Sequence, residues 1–313
     1  MSATQSARPP SPVTAGLAWG LLAAAIWSVY AVLARLGIKS GLTPLDMTLL
    51  RFTPGALVML PFVWHWGLRD LAGIGWRRGV VLAVLSGPLF SLLMMTGFAY
   101  APLAHGAVIA PASQMLVGIG LSAWLAHAPV TRETVTGGVF VLLGLAFMGG
   151  DALLHAEGSS VLLGDALFAA AGCSWGFFGA LSRRWRVDAV RVTGVAVVLA
   201  FAMFAPLYAA VADPQALLAA SPGFVALQAV AHGLGAGLVA VLAYSRAAVL
   251  LGPGRAAFFA AIVPGAASLL AIPVLGETPT ALQVAGVLAV VAGLLLAFGA
   301  VRMLLELRRG AQS

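Results

Sequence analysis

The stretch GLAWGLLAAAIWSVYAVLAR, Gly16 to Arg35, decides the fold of this chain. It has about twenty residues without a charge before the final arginine, which is the length that an α-helix needs to cross the ~30 Å hydrocarbon core of a bilayer. The stretch from Gly164 to Arg183 repeats it, with identical residues at Gly16/Gly164, Ala18/Ala166, Ala23/Ala171, Trp27/Trp175, Leu33/Leu181 and Arg35/Arg183. We interpret the two stretches as transmembrane helices that open two copies of one repeat unit.

The composition supports a membrane environment. Hydrophobic residues make up 61% of the 313 residues and charged residues only 9%, whereas soluble globular domains are about 45–50% apolar and about 25% charged. The net charge of +7 comes from basic residues that stand singly or in short groups between apolar blocks. This pattern indicates membrane orientation rather than nucleic-acid binding. The single cysteine, Cys173, excludes a disulfide framework and a thiolate metal cluster.

The order of apolar blocks predicts an all-α integral membrane protein with ten transmembrane helices. Thr43-Pro44 with Asp46, and later Ser221-Pro222, are N-cap and N1 pairs that start helices. Prolines inside spans, as in Gly87-Pro88, predict kinks. The expected spans are residues 16–35, 43–63, 80–98, 102–125, 136–150, 164–183, a seventh span ending near 212, an eighth starting at 221, 253–275 and 280–301.

Each repeat has five spans, and because five is odd the two repeats must be inverted relative to each other. With a cytoplasmic N-terminus, all Lys and Arg residues except Arg35, Lys39 and Arg51 lie on the inner side, as the positive-inside rule requires. We therefore expect a multi-pass protein of the cell (inner) membrane, with residues 41, 159 and 213 facing outward. The expected divisions are a cytoplasmic tail 1–13, a first repeat 14–150, an extracytoplasmic linker 151–162, a second repeat 163–303 and a cytoplasmic tail 304–313.

Motifs for hydrolytic and cofactor chemistry are missing from the sequence. Lys39 is the only lysine and no GxxxxGK precedes it, so a P-loop is excluded. Neither GxSxG nor HExxH occurs, and the histidines lack the spacing of metal ligands. We expect no cofactor and no metal. A membrane-embedded hydrolase remains the alternative from a different class.

Aromatic residues at mid-span depth are the first candidate binding residues. Trp27 and Tyr30 lie three residues apart on one face of span one, and Trp175 and Phe178 repeat that spacing on span six. The repeat would place two aromatic walls around a cavity near the membrane midplane. Structural packing alone is the alternative explanation for such a stripe.

Polar residues at the same depth are the second set of candidates, because an unpaired polar group in lipid is costly. Gln228 and His232 share a face of span eight, Gln114 stands beside the kink of span four, and Ser91 lies in span three. Interhelical hydrogen bonds alone would also explain them. Tyr100 and Tyr244, each near a span end, are better explained as residues of the interfacial aromatic belt.

Arg51 is the deepest basic residue. It lies about 10 Å below the start of span two, at 1.5 Å per residue. It could act as a structural anchor, paired with Asp46 or with helix-end carbonyls, or contact the carboxylate of a ligand; the anchor is the preferred interpretation.

These residues together resemble the EamA family of the drug/metabolite transporter superfamily. The resemblance covers about residues 14 to 303 and lies in Gly16 with Trp27, Gly164 with Trp175, Arg51, and the closing motif Gly276-Glu277-x5-Gln283-x2-Gly286. Ala128 stands where the second repeat has Glu277, so the first copy of the closing motif is incomplete.

The resemblance implies a transporter that moves small amphipathic metabolites by alternating access without ATP hydrolysis. Aromatic amino acid exporters are the nearest analogues, and a multidrug exporter of the same fold is the alternative. The resemblance also implies a cavity formed by spans one, three, four, six, eight and nine. A small-molecule substrate and the lipid bilayer are the expected partners, nucleic acid is not, and a homodimer is left open.

Energy coupling is the last expectation. We place all ten acidic residues, Asp165 among them, in loops, tails or the first turns of spans. His232 is then the only ionisable candidate near the midplane apart from Arg51. This predicts facilitated diffusion or exchange, in which His232 contributes hydrogen bonds rather than a coupled proton.

Overall fold

The structure is a computed structural model that describes residues 12–126, 131–154 and 158–297. Within these ranges the chain forms helices joined by short turns and no β-strand. The helices are α1 (Pro12–Lys39), α2 (Pro44–Trp66), α3 (Trp76–Ser86), α4 (Pro88–Tyr100), α5 (Leu103–Ala126), α6 (Arg132–Leu154), α7 (Gly158–Arg184), α8 (Ala189–Val211), the short α9 (Gln215–Ala219), α10 (Pro222–Ala229), α11 (Ala240–Leu251), α12 (Pro253–Leu275) and α13 (Ala281–Ala297). Between α10 and α11 runs a π-helical segment, Val230–Val239.

Eight of the helical stretches described are long and apolar enough to cross a membrane, and α13 is a shorter apolar helix. The predicted all-α membrane class is confirmed. Helices α6 and α7 both extend into the predicted linker 151–162, of which only residues 155–157 lie outside the described ranges. The helices α6 and α7 are therefore longer than the predicted spans five and six.

Local sequence signals explain where two of the helices begin. The Thr43 hydroxyl oxygen accepts the Asp46 backbone N–H at 3.1 Å, and the Asp46 carboxylate accepts the Thr43 N–H at 2.8 Å. The Ser221 hydroxyl accepts the Phe224 N–H at 3.3 Å in the same way. Both predicted caps are confirmed, each with a proline in the first turn where its missing N–H costs nothing.

Two helices are irregular at mid-depth. The third span is broken at Gly87, which separates α3 from α4 and precedes Pro88 at the new N-terminus. A Cβ atom at Gly87 would lie 2.1 Å from the Ala83 carbonyl oxygen, so only glycine fits this break. The π-helical segment widens the middle of the eighth span around His232. Such π segments are frequent at functional sites because they redirect side chains.

The helices pack in pairs that join the two halves of the chain. Helix α6 packs against α13, α5 against α7, α4 against α7, α2 against α8, and α1 against both α11 and α12. Glycines bring α6 and α13 together: a Cβ atom at Gly137 would lie 2.5 Å from the Gly293 carbonyl oxygen, and one at Gly144 would lie 2.8 Å from that of Gly286. Small residues at a helix interface allow this close approach of two backbones.

Helix ends gather at two opposite faces. We name one the Glu277 face, where Lys39 donates to the Leu275 carbonyl at 3.1 Å and the Leu103 N–H donates to Glu277 at 2.9 Å. We name the other the Arg184 face. There α7 ends at Arg184, and the Arg191 guanidinium donates to the Ala72 carbonyl at 3.1 Å.

Candidate functional site

A buried arginine lies at the centre of the candidate site. Arg51 is 7% exposed, and its guanidinium carbon lies 5.0 Å from the ring centre of Tyr30, 6.0 Å from that of Phe52 and 5.5 Å from that of Phe90. Such cation–π contacts hold a guanidinium in place and leave its N–H groups available. The α2 helix positions the side chain, with the capping box at its N-terminus fixing the start of that helix.

Arg51 forms no ion pair with any carboxylate among the residues that the structure describes, and its Nη1 atom is buried without a hydrogen-bond partner there. Asp46, the pairing partner that the sequence suggested, is fully buried but accepts hydrogen bonds from Thr43 and from the Tyr208 hydroxyl, the latter at 2.5 Å. A buried charge that lacks a partner is expensive. The suggested pairing of Arg51 with Asp46 is therefore not found in the part of the chain that the structure describes.

The tryptophans of both predicted aromatic stripes contact other rings. Trp175 lies 4.6 Å from Phe90 and 5.3 Å from Phe178, measured between ring centres. Trp27 lies 5.4 Å from Tyr244 and does not belong to the described lining of the cavity. Tyr244 thus packs inside the helix bundle against Trp27, whereas Tyr100 is 44% exposed at the end of α4, as an interfacial residue would be.

Tyr30, which contacts the arginine, and the side chains of His232 and Gln228 also carry buried polar atoms. The rings of Tyr30 and His232 stand edge to face, 4.8 Å between centres, and Gln228 donates to the Leu33 carbonyl at 3.0 Å. The Tyr30 hydroxyl, both His232 nitrogens and the Gln228 carbonyl oxygen are buried without a partner among the described residues. With Arg51, we name these residues the central polar cluster. Since buried polar groups are normally paired, the cluster has the properties of a binding site.

A partly open cavity of about 70 Å³ adjoins the cluster. Arg51 lines it at one end, Trp175 and Phe178 line its wall, and Thr193 lies one helical turn from the Arg184 face. The cavity therefore runs from Arg51 towards the Arg184 face. Its described lining residues come from α2, α3, α7, α8, the π-helical segment and α11. None of them comes from α1, α5 or α12, three of the helices that the resemblance implied. Side chains such as Tyr30 of α1 lie behind Arg51 instead.

Two of the candidate polar residues have other surroundings. Ser91 is fully buried and shares a hydrogen bond of 3.0 Å with Thr48, which joins α4 to α2 next to Phe90. The Gln114 side chain is exposed on α5 and does not belong to the described lining of the cavity.

Gly233 packs closely on Pro54, but Gly237 approaches no neighbouring helix closely and lines the cavity.

Charged residues close the Glu277 face. Arg35 donates to Glu277 at 2.8 Å and to the Phe98 carbonyl, and the Lys39 ammonium lies 3.7 Å from the same carboxylate. These contacts join α1, the end of α4 and the turn between α12 and α13. The sequence singled out Glu277 as part of a motif but gave no signal for its partners, because Arg35 lies more than 200 positions away.

The expectation that Asp165 lies in the first turn of its span is wrong. Helix α7 begins at Gly158, so Asp165 lies about 10 Å into it, at 1.5 Å per residue. Its carboxylate lies 2.8 Å from Nδ1 of His105, a residue that the sequence had set aside.

The fold and the site together define a helical membrane protein with a cavity that a buried arginine lines. The family of EamA-like transporters matches the chain over residues 14–150 and again over residues 162–299, so the chain belongs to that family. The predicted resemblance is confirmed.

A solved crystal structure of another protein is similar in fold. The two chains are 21% identical, with a TM-score of 0.61 over 92% of this chain and 96% of the other. No curated protein matches the chain significantly.

Proposed function

We propose that this membrane transporter moves small amphipathic carboxylates, with aromatic amino acids as the best candidates. The observation that carries the proposal is the buried Arg51 guanidinium, which lines the cavity, lies near aromatic rings and has no carboxylate partner among the described residues. A planar guanidinium binds a carboxylate through two parallel hydrogen bonds. The rings of Trp175, Phe178 and Phe90 would hold the apolar part of the substrate.

The same charge argues against the alternative of an exporter for cationic drugs. A cationic ligand in this cavity would meet the Arg51 guanidinium in a region shielded from water, where like charges repel more strongly than in solution. Export as the net direction follows from the resemblance to aromatic amino acid exporters.

The pairing of helices supports two inverted five-span repeats. The contacts of α1 with α11 and α12 have counterparts in those of α7 with α4 and α5, as expected if the halves are exchanged by a twofold axis. The contact between α2 and α8 joins equivalent helices of the two halves, as does the contact between α6 and α13, so the twofold axis maps each contact onto itself. An axis of this kind, with an odd number of spans in each repeat, lies in the membrane plane.

The distribution of charge supports a cytoplasmic Arg184 face. Arginines crowd that face at Arg77, Arg78, Arg183 and Arg184, whereas Arg35 and Lys39 at the opposite face are engaged with Glu277. The positive-inside rule then makes the Arg184 face cytoplasmic. The cavity would open to the cytoplasm, with the Glu277 face closed, which is the loading state of an exporter.

Counterflow of labelled L-phenylalanine into proteoliposomes tests the proposal. Unlabelled L-phenylalanine and L-phenylalaninamide are compared as competitors of the labelled substrate, because the amide has a neutral carboxamide in place of the carboxylate. We expect the unchanged protein to prefer the acid roughly 10- to 100-fold, which is the contribution of a charge-assisted hydrogen-bond pair. Arg51→Gln should abolish this preference and Arg51→Lys should retain part of it.

Arg78→Gln is the matched control. Arg78 also lies over an aromatic ring, 5.6 Å from the centre of Trp185, but it is exposed at the Arg184 face. This variant should keep the preference for the acid. An Arg51→Gln protein that still prefers phenylalanine to its amide would contradict the proposal.

A further inference from the structure

A second buried cluster lies at the Glu277 face, away from the cavity. His105 of α5, Asp151 of α6, Asp165 of α7 and Gln283 of α13 meet there, and the His105 side chain is about 1% exposed. His105 Nδ1 lies 2.8 Å from Asp165, and His105 Nε2 lies 3.7 Å from Asp151 and 3.3 Å from the Gln283 amide nitrogen. Four helices of the bundle therefore converge on one imidazole.

The hydrogen bonds assign the protonation state of this imidazole. A carboxylate can only accept, so the Gln283 atom that lies 2.7 Å from Asp151 Oδ2 is the amide NH₂ group. The Gln283 carbonyl oxygen correspondingly faces the Thr280 N–H, at 3.4 Å. The same NH₂ group faces His105 Nε2, which must then accept. In this arrangement the His105 Nδ1–H donates to Asp165 and Nε2 accepts from the Gln283 amide.

A proton added to His105 would bind at Nε2 and would displace the Gln283 amide. Nε2 is the ring nitrogen that carries no proton, and the Asp151 carboxylate beside it would compensate the new charge. A protonated Nε2 can no longer accept a hydrogen bond, so the Gln283 amide would have to move away. Asp151 would still accept from the Thr280 hydroxyl, now at 2.5 Å. Protonation thus removes the bond that joins α13 to α5.

Gln283 connects this cluster to the outside. It lines a cavity of about 140 Å³ together with Ser268, Ala271, Glu277 and Thr278. Glu277 is the charged residue at this cavity, and Arg35 and Lys39 both interact with its carboxylate. Thr280, directly before α13, is the polar residue next to Gln283. The cavity gives a proton from the Glu277 face a route to Gln283, and the Gln283 amide in turn contacts His105.

We propose that His105 is a proton-binding site, and that a proton bound from the Glu277 face displaces Gln283 and opens this face. The inference rests on the proposed transport function, because opening of the Glu277 face is the step that releases an exported substrate. It departs from the expectation of facilitated diffusion or exchange without a coupled proton. The proton adds to Nε2, the lone pair of that nitrogen forms the new N–H bond, and no other bond changes.

Cysteine labelling tests the proposal without any substrate. Cys173→Ala removes the only cysteine of the chain. In that background, Ser268→Cys places a thiol in the cavity next to Gln283, at a position that is 7% exposed. Ser40→Cys, exposed at the same face, reports the intrinsic pH dependence of the maleimide reaction. The ratio of the two labelling rates measures opening.

We expect this ratio to rise roughly tenfold between about pH 8 and about pH 5, the range in which histidine changes charge, and to stay constant in His105→Gln. His65→Gln, at an exposed histidine of the Arg184 face, is the matched control and should leave the rise intact. A rise that persists in His105→Gln, or no rise in either protein, would overturn the proposal.

Asp165→Asn covers the case in which His105→Gln does not fold. This variant keeps an acceptor for the His105 Nδ1–H but removes one of the two carboxylate charges that would compensate a proton on the ring, so the rise should be smaller. An unchanged rise would overturn the proposal. Because labelling needs no substrate, its result can be interpreted even if the phenylalanine assay fails. The phenylalanine assay can likewise be interpreted if labelling shows no change with pH.

Discussion

At the scale of single residues, the site depends on what surrounds each side chain rather than on its chemical type. Arg51 and Arg78 both lie near aromatic rings, but only Arg51 is buried and borders the cavity. Trp175 contacts two rings of the cavity wall, whereas Trp64 is 69% exposed on the outside of α2. Pairs of this kind allow each role to be tested against a matched residue.

Trp175→Ala should raise the KM for L-phenylalanine in counterflow about tenfold, or about 1.4 kcal/mol, because it removes the ring contacts of Trp175 with Phe90, Phe178 and the substrate. Trp64→Ala should leave the KM unchanged. Both proteins should elute as single symmetric peaks from a size-exclusion column. If Trp175→Ala folds and keeps its KM, the aromatic wall serves only packing.

His232→Gln should lower the rate of counterflow without changing its dependence on pH. Burial and the nearby Arg51 guanidinium both oppose a positive charge on His232, so its contribution is a hydrogen bond that glutamine reproduces in part. The measurement is uptake into proteoliposomes with an imposed pH gradient. Loss of the pH response in this variant alone would make His232 the proton carrier.

At the scale of helices, close approach of α6 and α13 depends on glycines of one face. A Cβ atom at Gly137 would meet the backbone of α13, whereas one at the adjacent Gly138 would have nothing within 4 Å. The break at Gly87 and the π segment around His232 act differently: they interrupt regular helices beside the cavity. Packing surfaces and irregular backbone thus lie in different helices.

Gly137→Ala should destabilise the protein by about 1–3 kcal/mol through overpacking against Gly293. Gly138→Ala should stabilise it slightly, since alanine is the better helix former by roughly 0.5–1 kcal/mol. Both variants make the same chemical change, so the difference in their melting temperatures in detergent isolates the helix contact. Equal melting temperatures would show that α6 and α13 do not pack closely.

At the scale of the whole molecule, the charges and the closed Glu277 face imply one orientation in the membrane. In the Cys173→Ala background, Asp213→Cys and Asp70→Cys place exposed thiols at opposite faces. A membrane-impermeant maleimide added to whole cells should label the first and not the second. Labelling of Asp70→Cys alone would reverse the proposed orientation, and labelling of both would contradict the inverted repeats.

The sequence alone determined the properties that depend on neighbouring residues. Apolar length predicted the membrane helices, Thr43-Pro44 and Ser221-Pro222 predicted helix starts, and the recurrence of Gly16 with Trp27 at Gly164 with Trp175 predicted the repeat and the family. The same spacing predicted two aromatic walls. All of these follow from local chemistry or from comparison of the chain with itself, so no knowledge of helix packing was needed.

Only the tertiary structure decided which distant side chains meet. His105, Asp151, Asp165 and Gln283 come from four helices, and the Arg35–Glu277 pair joins positions at opposite ends of the chain. The surroundings of Arg51 were also decided by the tertiary structure, because Asp46 accepts a hydrogen bond from Tyr208 and does not pair with Arg51. The physical reason is that the rotation and depth of each helix within the bundle select its contacts, and neither is encoded in the helix's own sequence.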